Sequence, residues 1–304
     1  MKKLIKQFYN IIPLKKQLFT LVKTVYTPDE NIYKHLHFHG VMDVKVNKTA
    51  KFKINHYGFQ IENEIFWKGL ENGWEKNSVS IWVKLAQNAV TIFDIGANTG
   101  IFALIAKAVN PTAEIYAFEP ILRVQQKLHE NILLNNYDIH SYPLAISNNT
   151  GKAYIYDNPS SEVVYSVTVN GYMNEADLIG TVKTEIDIIS LDSFIEENEI
   201  KSIDLMKIDV ETHEGEVMEG FMKYLPIFKP TFLIEILRNE VGERVQKCLT
   251  GLDYLFYNIN ENGEVVLVDK IMRRGHNYNY LLCAPEVAKK LGLNTEAHII
   301  THNI

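Results

Sequence analysis

The sequence predicts an α/β protein: a mostly parallel sheet with helices on both faces. Three observations carry this. Short apolar runs of strand length recur at Val90–Ile95, Glu114–Phe118, Ile139–Ala145, Ile203–Ile208 and Thr231–Ile236, the pattern of strands buried on both faces. Helix-period stretches alternate with them, and strand–helix–strand repeats give a parallel sheet with right-handed crossovers. The 304 residues are 46% hydrophobic and 22% charged, a globular balance in a chain long enough to bury a large core without disulfides.

Taken in order, residues 1–27 read as helical, with Thr27-Pro28-Asp29 ending them. Residues 1–25 carry Lys2, Lys3, Lys6, Lys15, Lys16 and Lys23 and no acid. Pro13 interrupts their short apolar stretches and no small-residue cleavage site follows, so this is not a signal peptide. The favoured reading is a helix packing its Leu4/Phe8/Leu18/Val22 side on the protein; the alternative is peripheral contact with anionic lipid. From about 41 to 66, Val44, Val46, Phe52, Ile54, Phe59 and Ile61 alternate with polar residues around a His56-Tyr57-Gly58 turn, predicting short antiparallel strands. Leu70 to Ala89 reads as one helix.

Within the sheet, the spacing predicts helices over Ile101–Val109, stopped by Asn110-Pro111, and over about Leu122–Asn135. Thr150-Gly151, Asn158-Pro159 and Asn170-Gly171 punctuate a hairpin excursion at about 146–190. A helix at Leu191–Glu197, one at about Gly215–Met222 and one near 240–250 follow. Tyr254–Ile259 and Val265–Val268 flank Asn262-Gly263 as a hairpin, and Tyr280–Cys283 is the last strand. The domain expectation is an N-terminal helical and β extension at 1–75 and one ligand-binding domain at 76–304 that includes the excursion.

Composition also bounds function. Thirty-one basic against 37 acidic residues argue against a nucleic-acid partner, which wants a basic face. Cys248 and Cys283 form no CxxC pair and read as reduced thiols of a cytoplasmic protein. No run approaches the ~18–20 apolar residues of a membrane span.

The most informative stretch is Asp94-Ile95-Gly96-Ala97-Asn98-Thr99-Gly100-Ile101-Phe102, joining a buried strand to a helix. It lacks the Gly-Lys-Ser/Thr of a P-loop. It is G-x-x-x-G rather than the dinucleotide G-x-G-x-x-G, and Asp94 would repel a pyrophosphate. S-adenosylmethionine carries no phosphate and two cationic groups, so an acid beside a glycine turn suits it, with the helix N-terminus facing its carboxylate. Glu119, closing the second strand before Pro120, is placed to accept hydrogen bonds from both ribose hydroxyls. In Asp209-Val210-Glu211-Thr212-His213-Glu214, four ionisable groups crowd the end of a later strand, where open α/β sheets bind ligands.

At these residues the chain resembles the FkbM family of S-adenosylmethionine-dependent methyltransferases. The resemblance rests on Phe93–Gly100, Ala117–Pro120, Leu191–Phe194, Lys207–Glu211 with Glu214 and Gly220, Leu233–Ile236 and Asn279–Leu282. Ile61-Glu62-Asn63 and Ile65-Phe66-Trp67 look like the family's lead-in. Thr212 stands where the family usually has glycine, which is costly if that position needs a positive φ. The resemblance implies a class I methyltransferase (Rossmann-like) fold on a seven-stranded sheet. It also implies O-methylation of a hydroxyl on a sugar or polyketide-type metabolite.

The candidate cofactor-binding residues are therefore Asp94, Gly96, Asn98, Thr99, Gly100, Phe102, Glu119, Pro120 and Asp209. In-line transfer needs the acceptor's proton removed; His213 is the leading base, with Asp209 or Glu211 as alternatives. A divalent metal, Mg²⁺, Mn²⁺ or Fe²⁺, on Asp209, His213 and Glu235 is the other route. Tyr165, Ser166 and Glu214, with Tyr154, Tyr156 and Tyr172, are candidate contacts for a sugar or nucleotide-sugar acceptor. The competing readings are a nicotinamide-dependent oxidoreductase and a catalytically silent S-adenosylmethionine-binding module.

Overall fold

A computed structural model describes residues 14–157 and 181–296. Helices α1 (Lys15–Val25) and α2 (Glu30–Tyr33) lead to the antiparallel hairpin β1 (Gly40–Lys45) and β2 (Lys51–His56), then to helices α3 (Gln60–Lys68) and α4 (Lys76–Ala86). The alternation expected to run to residue 66 stops at Gly58, whose φ is +90°. Phe59 instead caps α3, which buries Ile65, Phe66 and Trp67. The helix expected from Leu70 starts only at Lys76. Gly69 and Glu75 both have positive φ, which breaks α-helical propagation.

The alternating region follows: β3 (Thr91–Ile95), α5 (Ile101–Val109), β4 (Glu114–Phe118), α6 (Leu122–Leu134) and β5 (His140–Tyr142). The run expected as one strand to Ala145 divides at Pro143, which has no N–H for a ladder. Beyond it, β6 (Leu144–Ser147) pairs in a separate three-stranded sheet with β8 (Val182–Ser190) and β7 (Gly151–Asp157), the root of the excursion. Then come α7 (Leu191–Glu197), β9 (Leu205–Ile208), α8 (Glu214–Glu219), α9 (Leu225–Phe228), β10 (Thr231–Glu235) and α10 (Asn239–Cys248). The strands β11 (Leu255–Ile259), β12 (Val265–Val268) and β13 (Asn279–Cys283) and helix α11 (Pro285–Leu291) complete the chain.

The central sheet runs β12-β11-β13-β10-β9-β3-β4-β5. From β10 to β5 every pairing is parallel; β13, β11 and β12 add antiparallel strands. This is the class I methyltransferase arrangement with one strand more than the seven expected, because the whole 255–268 hairpin joins the sheet. Strand alternation sorts the core to two faces. Ile92 packs with Trp67, Trp82 and Leu104 under the N-terminal elements. Phe93 and Ile95 pack with Phe118, Phe194, Met206 and Phe221 on the other face.

On α1 the buried side is Phe19 with Val22 packed against the core. Leu18, expected inside, is 49% exposed, because the helix turns Phe19 toward Trp67 at 5.7 Å. Leu4 and Phe8 lie outside the described residues. Among the described residues no helix is long and apolar enough to cross a membrane. Cys248 and Cys283 are buried free thiols.

Candidate functional site

A cavity opens at the carboxyl ends of β3, β4, β9 and β10, with residues at the start of α3 and the root of the excursion as walls. This is where parallel sheets place ligands. Gly96 makes the mouth narrow: its φ is +82°, and a Cβ there would lie 1.8 Å from the Asp209 carbonyl oxygen. Gly100, at φ +94°, turns the chain into α5 and packs against Leu128 rather than facing the cavity.

Asp94 is 1% exposed, and its Oδ2 accepts the Ala103 N–H at 2.9 Å, an otherwise unpaired donor of the first turn of α5. Glu119 is buried. Its Oε2 accepts the Asn98 N–H at 3.1 Å and its Oε1 the Ile121 N–H at 3.0 Å. Burial pushes both carboxyls up to about 7, Lys207 opposing it at Asp94 and the two backbone bonds at Glu119. Asn98, Thr99, Phe102 and Pro120 line the same cavity.

Across the cavity the arrangement changes. Oxygens of Glu75, Asp209 and Glu235 lie within 4.8 Å of one another. The Lys207 ammonium, 1% exposed, sits 2.9 Å from Asp209 and 5.1 Å from the Phe102 ring centroid. Burial disfavours that ammonium, but Asp209, Glu75 and Glu235 overcome the penalty and raise its pKa. Burial and neighbouring carboxylates raise Glu75 and Glu235. Burial, then Asp209 and Glu214, pushes Glu211 up to about 8.

His213 lines the same cavity but is not in that cluster. Its Nε2 lies 3.0 Å from Ser147 Oγ and its Nδ1 3.5 Å from Glu216. Glu216 is held at 2.7 Å by Arg244, which also grips Glu219. Burial lowers the imidazole pKa, so the ring is neutral and ties the end of β6 to α8. The diversion has a backbone cause: Glu211 and Thr212 have φ of +53° and +77°, a left-handed pair that swings the chain before His213. Thr212 thus adopts the conformation that glycine adopts freely. Glu214 is buried too, with Oε1 accepting the N–H groups of Val210 at 3.1 Å and Thr212 at 3.3 Å. It braces the loop and does not line the cavity.

Tyr165, Ser166 and Tyr172 lie outside the described residues. Tyr154 is 47% exposed, with its hydroxyl 3.4 Å from Glu185. Neither it nor Tyr156 lines the cavity, whereas Leu144, Ala145, Ile146 and Ile155 do. Lys207, Glu75 and Glu62 also line the cavity and have no site role in the sequence reading. Lys207, within the buried run Leu205–Ile208, carried a signal, because an unpaired lysine is almost never fully buried. Glu75 fell in the helix expected over Leu70–Ala89, and Glu62 in the lead-in segment Ile61-Glu62-Asn63, neither with a ligand role.

The Methyltransferase FkbM domain matches residues 94–280, more than half of the chain. The hexuronic acid methyltransferase AglP of Haloferax volcanii is 26% identical over 163 residues, covering 53% of this chain and 62% of that protein. The 31-O-demethyl-FK506 methyltransferase FkbM of Streptomyces tacrolimicus is 26% identical over 151 residues, covering 42% of this chain and 58% of that one. The alignments span about three fifths of the length of these relatives. Among solved structures, a methyltransferase FkbM from Methylobacillus flagellatus is similar at 14% identity and a TM-score of 0.41, over 64% of this chain and 43% of that one. The domain match begins at Asp94 itself and takes in Glu119, Asp209 and Glu235, and with it the chain belongs to the FkbM family of methyltransferases.

Proposed function

We propose that the protein is an S-adenosylmethionine-dependent O-methyltransferase acting on a hydroxyl of a sugar, a nucleotide sugar or glycan precursor. One observation carries the cofactor part: two buried carboxylates, Asp94 and Glu119, close adjacent parallel strands on either side of a glycine turn and face one cavity. That cavity is also lined by Glu75, Asp209, Glu211 and Glu235. Beside the glycine turn, Asp94 and Glu119 suit a ligand with cationic groups and oppose a pyrophosphate bound at that turn, which weighs against a nicotinamide dinucleotide. S-adenosylmethionine, when bound, supplies a methyl group activated by its sulfonium charge.

The chain's own residues do the rest. Glu119 takes the ribose hydroxyls on lone pairs its two backbone bonds leave open. Asp94 and Asp209 offset the ligand's positive charge. Asp209 is itself held in place by Lys207. Glu211 takes the acceptor's proton: it faces the cavity, and a carboxyl at about 8 is a stronger base than an ordinary one while still ionising near neutrality. His213, whose Nε2 lies 3.0 Å from Ser147 Oγ, positions the excursion root against the loop. The sugar acceptor is supported by the hexuronic acid methyltransferase among the relatives. Cytoplasmic residence would follow from an acceptor of this kind.

A second reading, a divalent cation at the acceptor end, is favoured by the Glu75, Asp209 and Glu235 oxygens. That donor set is all oxygen and fits Mg²⁺ or Mn²⁺ better than Fe²⁺. Such an ion would orient the acceptor and lower its hydroxyl pKa. The buried Lys207 ammonium beside Asp209 opposes it.

Mass spectrometry of nucleotide sugars and uronic acids incubated with the protein and S-adenosylmethionine tests both readings. Methylated sugar products in the presence of chelator support the metal-free mechanism. Products only with added Mg²⁺ or Mn²⁺ support the cation. No product from any sugar, with product from non-sugar alcohols, would overturn the acceptor class.

A further inference from the structure

We infer that Glu62, on α3 of the N-terminal extension, is a ligand-binding residue of this site, whose open carboxylate oxygen accepts the α-ammonium of the methionine portion of S-adenosylmethionine. This rests on the cofactor reading above and extends it to a residue outside the 94–280 match.

Glu62 is 1% exposed and lines the same cavity as Asp94 and Glu119. Its Oε1 accepts the Thr99 hydroxyl at 3.2 Å. Its Oε2 is buried with no hydrogen-bond partner among the described residues. A buried, unpaired carboxylate oxygen is costly, so a donor that arrives with the ligand accounts for it. Burial pushes this carboxyl up to about 7, with Lys127 acting against it. Lys127 does not supply the donor: its ammonium bonds the Arg123 carbonyl at 3.3 Å and lies 5.2 Å from the Tyr57 ring centroid. The ammonium that does line the cavity, Lys207, is held by Asp209.

The choice of an ammonium follows from position and charge. Glu119 stands at the end of β4, on the far side of the glycine turn, and is suited to a diol. Glu62 reaches the turn from above through Thr99, at the entry to α5. With carboxylates from Glu62, Asp94, Glu119, Asp209 and Glu211 facing one cavity, a cationic donor is favoured over a neutral hydroxyl. Glu62 is also held firmly. Its neighbour Asn63 donates to the Tyr33 carbonyl at 2.7 Å. Asn131 donates to the Thr99 carbonyl at 2.9 Å while accepting the Asn55 N–H at 2.9 Å. The extension and the glycine turn are thus fastened together, which fixes the carboxylate before the ligand arrives.

The test is calorimetric titration of wild type and Glu62→Gln with two probes. S-adenosylhomocysteine keeps the amino-acid portion, and 5′-methylthioadenosine lacks it. Removing a charged hydrogen-bond partner should weaken S-adenosylhomocysteine by ~10-fold or more and leave 5′-methylthioadenosine within about 2-fold. Titrations in buffers of different ionisation enthalpy should show fewer protons released on binding to the variant. Glu62→Asp, which keeps the charge, should recover part of the loss. Unchanged S-adenosylhomocysteine affinity in folded Glu62→Gln, or equal weakening of both probes, would overturn the assignment. Wild type that binds neither probe would overturn the cofactor reading and this inference with it.

Discussion

The two ends of the cavity hold their carboxylates in different ways. At the cofactor end, Asp94 and Glu119 are gripped by backbone N–H groups of α5, the glycine turn and Ile121. At the acceptor end, Glu75, Asp209 and Glu235 face one another around one buried ammonium, beside a loop with two left-handed residues. The first arrangement is held mainly by backbone N–H groups of the fold. The second is a shared-charge cluster that a proton, a ligand or one substitution can reorganise. On the proposed function, cofactor binding uses the former and proton transfer at neutral pH the latter.

The sharpest break in that contrast is Lys207→Met, which strips the acceptor end of its counter-charge. Removing one partner from a buried ion pair costs about 3–5 kcal/mol. Denaturant unfolding of the variant should show a loss of that size, smaller at pH 6 than at pH 8 because the orphaned carboxyls can then hold protons.

The pH dependence of the ligand-free protein comes next. Asp94, Glu119 and Glu62 have folded-state pKa values raised to about 7, so the native state holds protons that the unfolded chain has released. Stability must therefore fall as pH rises from about 4.5 to about 7–8. Glu119 alone accounts for roughly 3 kcal/mol as an upper estimate. Thermal unfolding across this range should show the decline, and S-adenosylhomocysteine should stabilise more at pH 8 than at pH 6.

If Glu211 is the base, Glu211→Gln should lower kcat on the order of 100-fold and remove the rise in rate toward pH 8, with cofactor affinity little changed. Glu119→Gln should do the opposite: at least ~10-fold weaker S-adenosylhomocysteine binding, about 1.4 kcal/mol, in a protein no less stable than wild type at neutral pH. The smallest effect is expected at Thr212→Gly. Relief of a left-handed threonine, offset by backbone entropy, should add about 1 kcal/mol of stability, read from denaturant midpoints.

The placement of Asp94 and Glu119 at the cavity was legible because it is tied to position along the chain. Asp94 and Glu119 stand where apolar runs end, and burial by the sheet follows from those runs. The acceptor end was not. His213 lines the cavity, but the left-handed pair at 211 and 212 precedes a ring whose nitrogens lie near Ser147 and Glu216, which its place among the carboxylates in sequence does not signal. Glu62 and Glu75 enter the cavity because tertiary packing brings the start of α3 and the αL turn before α4 over the strand ends. No periodicity in residues 60–76 signals that. Pro143 was visible inside its apolar run, and its missing N–H is what ends the third parallel strand.

Calorimetric titration of the chelator-treated protein with S-adenosylhomocysteine and, separately, with NAD tests the central claim most directly. The acid-lined cavity predicts micromolar binding of S-adenosylhomocysteine and none of NAD. Binding of NAD without S-adenosylhomocysteine would contradict it and make the Asp94–Gly100 turn a dinucleotide site.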